Sequence, residues 1–169
     1  MRFLIIVACV GCVLFFAGSL WAKKLREGNR APNFALRDSE DREFSLQKTL
    51  NEGLWVVLVF YPKDSSTVCT KQLCRIRDLM PNIPEWIKVV GISSGDADSH
   101  REFVRAHNLT FPLLIDTKNR VRKLLGANAW GGRVTIIINP EGRITKICTD
   151  MLSLEEHIGI IEDLVNQNS

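Results

Sequence analysis

WVVLVFYPKDSSTVCTKQLC, residues 55–74, joins a strand, a loop and a helix in one short stretch. Trp55 to Phe60 is a continuous β-branched and aromatic run, the composition of a central strand buried on both faces. Pro62 ends it, because a residue without a backbone N–H cannot continue a ladder. The polar loop that follows offers Asp64, Ser65 and Ser66 as caps for a helix running from Cys69 towards Leu79.

Outward from this stretch, apolar runs alternate with helical segments. KVVGI from Lys88, FPLLI from Phe111 and VTIII from Val134 read as strands, while Ser99–His107 and Asn119–Leu125 read as helices. Ser99 with Glu102, and Ser153 with Glu156, have the spacing of a capping box. Leu154, His157, Ile158, Ile161 and Leu164 give a last helix its apolar face. NPEG at 139–142 reads as a hairpin turn, so the sheet ends in an antiparallel pair. Upstream, Phe34–Leu36 and Phe44–Leu46 flank a charged turn and suit a small hairpin. The alternation predicts an α/β fold.

With 169 residues and 46% hydrophobic content, the chain can bury one core without a metal or disulfide staple. The net charge of +3 is concentrated before residue 31, where Arg2, Lys23, Lys24, Arg26 and Arg30 face Glu27 alone. The remainder is near neutral and shows no basic stripe, which argues against a nucleic-acid partner. His100, His107 and His157 are dispersed, with no second ligand at helical spacing, so no metal and no other cofactor is implied.

Phe3 to Ala22 carries no charge and is long enough to cross a bilayer as a helix. It reads as a signal peptide or an uncleaved signal-anchor over 1–22, and Leu20 in place of a small residue favours the anchor. A basic spacer follows over 23–30, then one domain over 31–169. The basic cluster after the helix would hold the domain on the cytoplasmic side, whereas the short basic start suits export. The expectation is a membrane-anchored or exported protein, the periplasmic side preferred, with the membrane contacted through residues 3–22.

Of five cysteines, Cys9 and Cys12 lie in the apolar stretch, and Cys148 sits on a terminal strand as a structural or idle thiol. Cys69 falls in the first turn of its helix, where the partial positive charge of the N-terminus favours a thiolate and therefore a nucleophile. On a continuous helix Cys74 would stand about 7.5 Å further along and be rotated by roughly 140°. A disulfide needs Cα atoms within about 7 Å and converging Cβ vectors, so pairing requires the first turns to unwind. The expected sequence is oxidation of Cys69 to a sulfenic acid, local unfolding, and condensation with Cys74.

PKDSSTVC, with Pro62, Ser66 and Cys69, fits the Pro-x-x-x-Thr/Ser-x-x-Cys pattern and resembles the peroxiredoxins. The five-residue step to Cys74 and VVGISSGDADSHREFVRAHNLTFPLLID resemble their bacterioferritin-comigratory or PrxQ group over residues 31–165. The resemblance implies a thioredoxin-like fold, a central mixed sheet flanked by helices, here preceded by one N-terminal hydrophobic helix. It also implies a thiol-dependent peroxidase that reduces hydrogen peroxide and organic hydroperoxides. Cys69 would be peroxidatic and Cys74 resolving, with recycling by thioredoxin or a related dithiol and action as a monomer.

In the resemblance Arg133, in GGRVTIIINPEGRI, completes the pocket, favouring the thiolate and orienting the peroxide. Ser66 donates a further hydrogen bond, Pro62 shields the thiolate, and the N–H groups around Val68 and Cys69 face the pocket. Thr67 and Val68 stand where the group has Pro-Gly, and Gln72 where it usually has Glu, which bears on efficiency. Two other readings share the fold. One is a non-enzymatic redox sensor. The other is a membrane-tethered thiol-disulfide oxidoreductase, although Cys69 and Cys74 lack the Cys-x-x-Cys spacing of that class.

Overall fold

The computed structural model describes residues 26–64, 66–130, 132–150 and 153–167. Strands β1 (Ala35–Arg37) and β2 (Glu43–Ser45) form the small hairpin. Ser45 then caps α1 (Leu46–Asn51), its Oγ accepting from the Lys48 N–H at 3.4 Å, so Leu46 starts a helix instead of ending a strand. The buried run becomes β3 (Trp55–Phe60), followed by α2 (Thr67–Leu79), β4 (Ile87–Ser93) and α3 (Ala97–His107). The chain continues through β5 (Leu113–Ile115), α4 (Arg120–Leu124), β6 (Val134–Ile138), β7 (Ile144–Cys148) and α5 (Leu154–Gln167).

The main sheet has the order β5-β4-β3-β6-β7. β3 pairs parallel with β4, and β4 parallel with β5, whereas β6 runs antiparallel to both β3 and β7. This is the mixed, helix-flanked sheet of the thioredoxin-like α/β fold. Its centre is dry because β3 alternates between two cores. Val56, Leu58 and Phe60 face the side covered by α1 and α4, while Val57, Val59 and Tyr61 face the side of α2, α3 and α5. Leu58 has no exposed surface, and cutting it to alanine would cost about 2–5 kcal/mol.

The helix starts differ in part from the expected ones. At α3 the cap is Asp96, whose side chain accepts from the Ser99 N–H at 2.8 Å, so Ser99 lies inside the helix with its hydroxyl free for another use. At α5 Ser153 does accept from the Glu156 N–H, at 3.3 Å. The chain before β1 is tied to the β6–β7 hairpin: Gly28 donates to Ile144 at 2.7 Å and Ala31 to Gly142 at 2.9 Å.

The hydrophobic helix expected over residues 3–22 lies outside the described residues. Among those described, no helix is long and apolar enough to cross a membrane.

Candidate active site

α2 begins where the sequence placed its caps. Ser66 is the N-cap, and its Oγ accepts from the Cys69 N–H at 3.4 Å. Cys69 is therefore in the first turn, and its side chain packs with Val57, Val59, Tyr61, Leu73 and Ile76, leaving 1% exposed. The Cys69 N–H, expected to face the pocket, is engaged only at this long distance, and a ligand oxygen would compete well for it.

Arg133 reaches the same place through strand pairing. The β3–β6 register ends at Phe60 opposite Val134, so Arg133 follows directly beside Tyr61 and the loop to Cys69. It is 5% exposed. Gly132, whose φ of 108° favours glycine, lies against the loop: a methyl group there would be in ordinary contact with Pro62 Cγ, at 3.4 Å. Pro62 itself is exposed. Pro62, Ser66, Cys69 and Arg133 thus belong to one end of the sheet.

Cys74 lies further along an unbroken helix, half-buried, with Arg77 Nη1 donating towards its Sγ at 3.8 Å. The same Nη1 donates to the His107 carbonyl at 2.6 Å, which fixes the guanidinium. Cys69, Cys74 and Cys148, the cysteines among the described residues, are all free thiols. Joining Cys69 to Cys74 requires the helical turns between them to open.

Two buried polar clusters frame the site, and the sequence reading missed both. In the first, Tyr61 Oη donates to Asp64 Oδ1 at 2.8 Å and Ser99 Oγ to Asp64 Oδ2 at 2.5 Å. His100 Nε2 shares a hydrogen bond with Ser93 Oγ at 2.8 Å and lies 3.5 Å from Asp64 Oδ2. These groups pin the loop ahead of Cys69 to β4 and α3. Burial, then the Asp64 charge, pushes the Tyr61 phenol far above its ordinary range. Burial holds His100 below the usual histidine range despite Asp64.

In the second cluster, His157 Nε2 donates to the Asp150 carbonyl at 2.6 Å, which leaves Nδ1 to accept from Thr135 Oγ1 at 2.8 Å. Burial lowers His157, and the nearby Arg133 charge adds to that. Gln72, one turn after Cys69, is fully buried. Its neighbours in sequence gave no sign of this, and neither the histidines nor Tyr61 carries a local motif, because their partners lie up to 39 residues away.

A groove of about 620 Å³ between the β1–β2 hairpin and α3 is lined by charges of both signs, including Glu43, Lys48 and Arg105, and another of about 670 Å³ is lined in part by Cys148. Among the described residues no cluster of three His, Cys, Asp or Glu could hold a metal ion.

The comparisons bear on the family and the fold. The model of the AhpC/TSA family matches residues 28–147. Chloroplastic peroxiredoxin Q of Oryza sativa subsp. japonica is 41% identical over 142 residues, covering 80% of this chain and 64% of the relative. That of Sedum lineare is 36% identical over 141 residues, covering 80% and 75%. The chain thus spans somewhat under two thirds of the rice relative. Peroxidoxin BcpB of Mycobacterium tuberculosis shares the fold, with a TM-score of 0.75 at 23% identity, covering 86% of this chain and 99% of that one. The bacterioferritin comigratory protein of Xanthomonas campestris gives 0.71 at 23% identity, covering 80% and 92%.

The placement in a membrane or on its periplasmic side is overturned by these relatives, which are labelled chloroplastic. An apolar run such as Phe3–Ala22 shows that a segment avoids water, and does not name the compartment that receives the domain. With a family model matched across the sheet and a peroxiredoxin Q relative aligned over most of its length, the chain belongs to the AhpC/TSA family, as a peroxiredoxin of the Q group.

Proposed function

We propose that this chain is a thiol peroxidase acting on hydrogen peroxide and organic hydroperoxides through Cys69. The observation that carries the reading is a buried thiol in the first turn of a capped helix, with the Arg133 turn closed against Pro62 beside it. The Cys69 thiolate attacks the terminal oxygen of ROOH, the O–O bond breaks, and the alkoxide leaves and takes a proton as ROH. Cys69 is now a sulfenic acid, oxidised by two electrons. The N–H groups of the first turn and the Arg133 guanidinium stabilise the charge that develops on the oxygens. Ser66 supports the turn as its cap.

Cys74 then attacks the Cys69 sulfur, water leaves, and the disulfide forms once the helical turns between them open. Thioredoxin or a related dithiol returns both thiols by exchange. All the groups lie in one domain over residues 31–169, so a monomer suffices.

The test is peroxide consumption by the full chain with thioredoxin, its reductase and NADPH, in wild type, Cys69→Ser and Cys74→Ser. Turnover is lost in both variants, while Cys74→Ser still yields one sulfenic acid per chain. Reversible oxidation without turnover by any dithiol would sink the peroxidase and leave the redox sensor.

A further inference from the structure

Beyond the Phe60 to Val134 pair the β3–β6 ladder stops, and the two segments that leave it carry Pro62 and Arg133. A single side chain bridges them. Arg122, on α4, donates from Nη1 to the Gly132 carbonyl at 2.7 Å and from Nη2 to the Tyr61 carbonyl at 3.1 Å. Each acceptor immediately precedes one of the site residues. We propose that Arg122 is a positioning residue of the peroxidase site, stapling the Pro62 loop to the Arg133 turn so that the guanidinium of Arg133 is held over Cys69.

Its surroundings favour this role over packing. Arg122 is 6% exposed and its Cζ lies 5.3 Å from the centroid of Phe60, on the face of the sheet opposite Cys69. Desolvating a guanidinium costs several kcal/mol, and an apolar side chain of that length would fill the space against Phe60 more cheaply. What an apolar chain lacks is a planar fork able to reach two carbonyls from different segments. The staple is itself fixed. Asp116, 1% exposed, accepts the Val121 and Arg122 N–H groups at 2.8 Å each, and its own N–H donates to Ser93 at 2.7 Å. A methyl group at Gly132 would stand 3.8 Å from Arg122 Nη1, an ordinary contact that marks the two as neighbours. α4 is thus braced against the ends of β3, β4 and β6 together.

The inference rests on the assignment of Cys69 and Arg133 above, and the experiment separates the two. The quantity is the second-order rate of Cys69 oxidation by hydrogen peroxide, measured by stopped flow alongside the later step of disulfide formation. Arg122→Met keeps the stem over Phe60 and removes the fork. The peroxide step should slow about 10- to 100-fold, as expected when a catalytic group shifts by about an ångström, while disulfide formation is unchanged. Arg122→Lys, which keeps the charge and one bond, should fall between Met and wild type. Arg122→Met in an Arg133→Ala background should lose nothing further, because the two act as a unit.

A wild-type rate in Arg122→Met, or losses that multiply with those of Arg133→Ala, overturns the proposal. If the Met variant fails to fold, a wild-type rate in Arg122→Lys overturns it and an intermediate one upholds it. If Arg133→Ala itself keeps the wild-type rate, the assignment of the site is what has failed.

Discussion

Cys69 and Cys148 are both buried, at 1% and 6% exposure, and their surroundings have opposite sign. Cys69 sits at the positive end of α2 with the Arg133 turn beside it. Cys148 ends β7 opposite Thr135, and burial pushes its thiol up, with the Glu156 and Asp150 charges adding to that against a hydrogen bond from the Asp150 backbone. Burial is therefore common to both thiols, and on the proposed reading what separates them is the charge that the fold brings to each.

The largest effect expected from this contrast is in labelling. Iodoacetamide at neutral pH should modify Cys69 before Cys148 in peptide mass spectrometry, and Cys148→Ser should leave peroxide turnover unchanged. Equal labelling of the two thiols would erase the distinction. Next, Arg133→Ala should lower the peroxide rate about 10²- to 10³-fold, the cost of removing one preorganised donor from a site of developing charge. The matching change beside Cys148, Glu156→Gln, should leave that rate where it was.

Acid should act on the ground between the thiols. His157 bonds to Thr135, the strand partner of Cys148, and feels Arg133 on the other side. His157 and His100 are both held below the ordinary histidine value, mainly by burial. The unfolded chain therefore takes up protons first as pH drops below about 6.5. Stability contributed by the neutral rings is complete above that pH and is lost as pH falls towards their folded values. Urea unfolding should show a lower midpoint at pH 5.5 than at pH 7.5, and His157→Gln should flatten that dependence. An unchanged midpoint would mean that the rings are not held neutral.

The smallest effect concerns the cap. Ser66→Ala should cost about 1 kcal/mol of stability, or about 2–4 °C in Tm. It should also loosen the first turn of α2, so that disulfide formation between Cys69 and Cys74 speeds up while the peroxide step slows. A change in Tm with both rates unaltered would confine Ser66 to stability.

β3, β4 and β6 were legible because an apolar run long enough for a strand needs no distant partner to be recognised. The start of α2 was legible too, since Ser66 was among its three cap candidates. The start of α3 was not. Ser99 and Glu102 have the box spacing, but Asp96 takes the cap, and the Ser99 hydroxyl instead serves Asp64, 35 residues away. Leu46 looked like strand and became helix because Ser45 caps α1. The core of the proposed site, Cys69 with Pro62, Ser66 and Arg133, came from a local motif and a resemblance. Tyr61, Asp64, His100, Arg122 and His157 as site supports did not, because each acquires its role only from chain that pairing brings close. Arg122 is the extreme case: in sequence it is one more exposed-looking cation on a short helix.

The bond from Arg122 to Tyr61 spans 61 residues, and β6 must dock antiparallel on β3 before Arg133 arrives at all. As the chain leaves the ribosome, Cys69 and its capping Ser66 therefore emerge well ahead of Arg122 and Arg133. Until the C-terminal half has been synthesised and closed onto the sheet, the thiol has its helix cap but not the guanidinium proposed to complete the site. The order of the elements along the chain thus delays reactivity until the fold that governs it is complete.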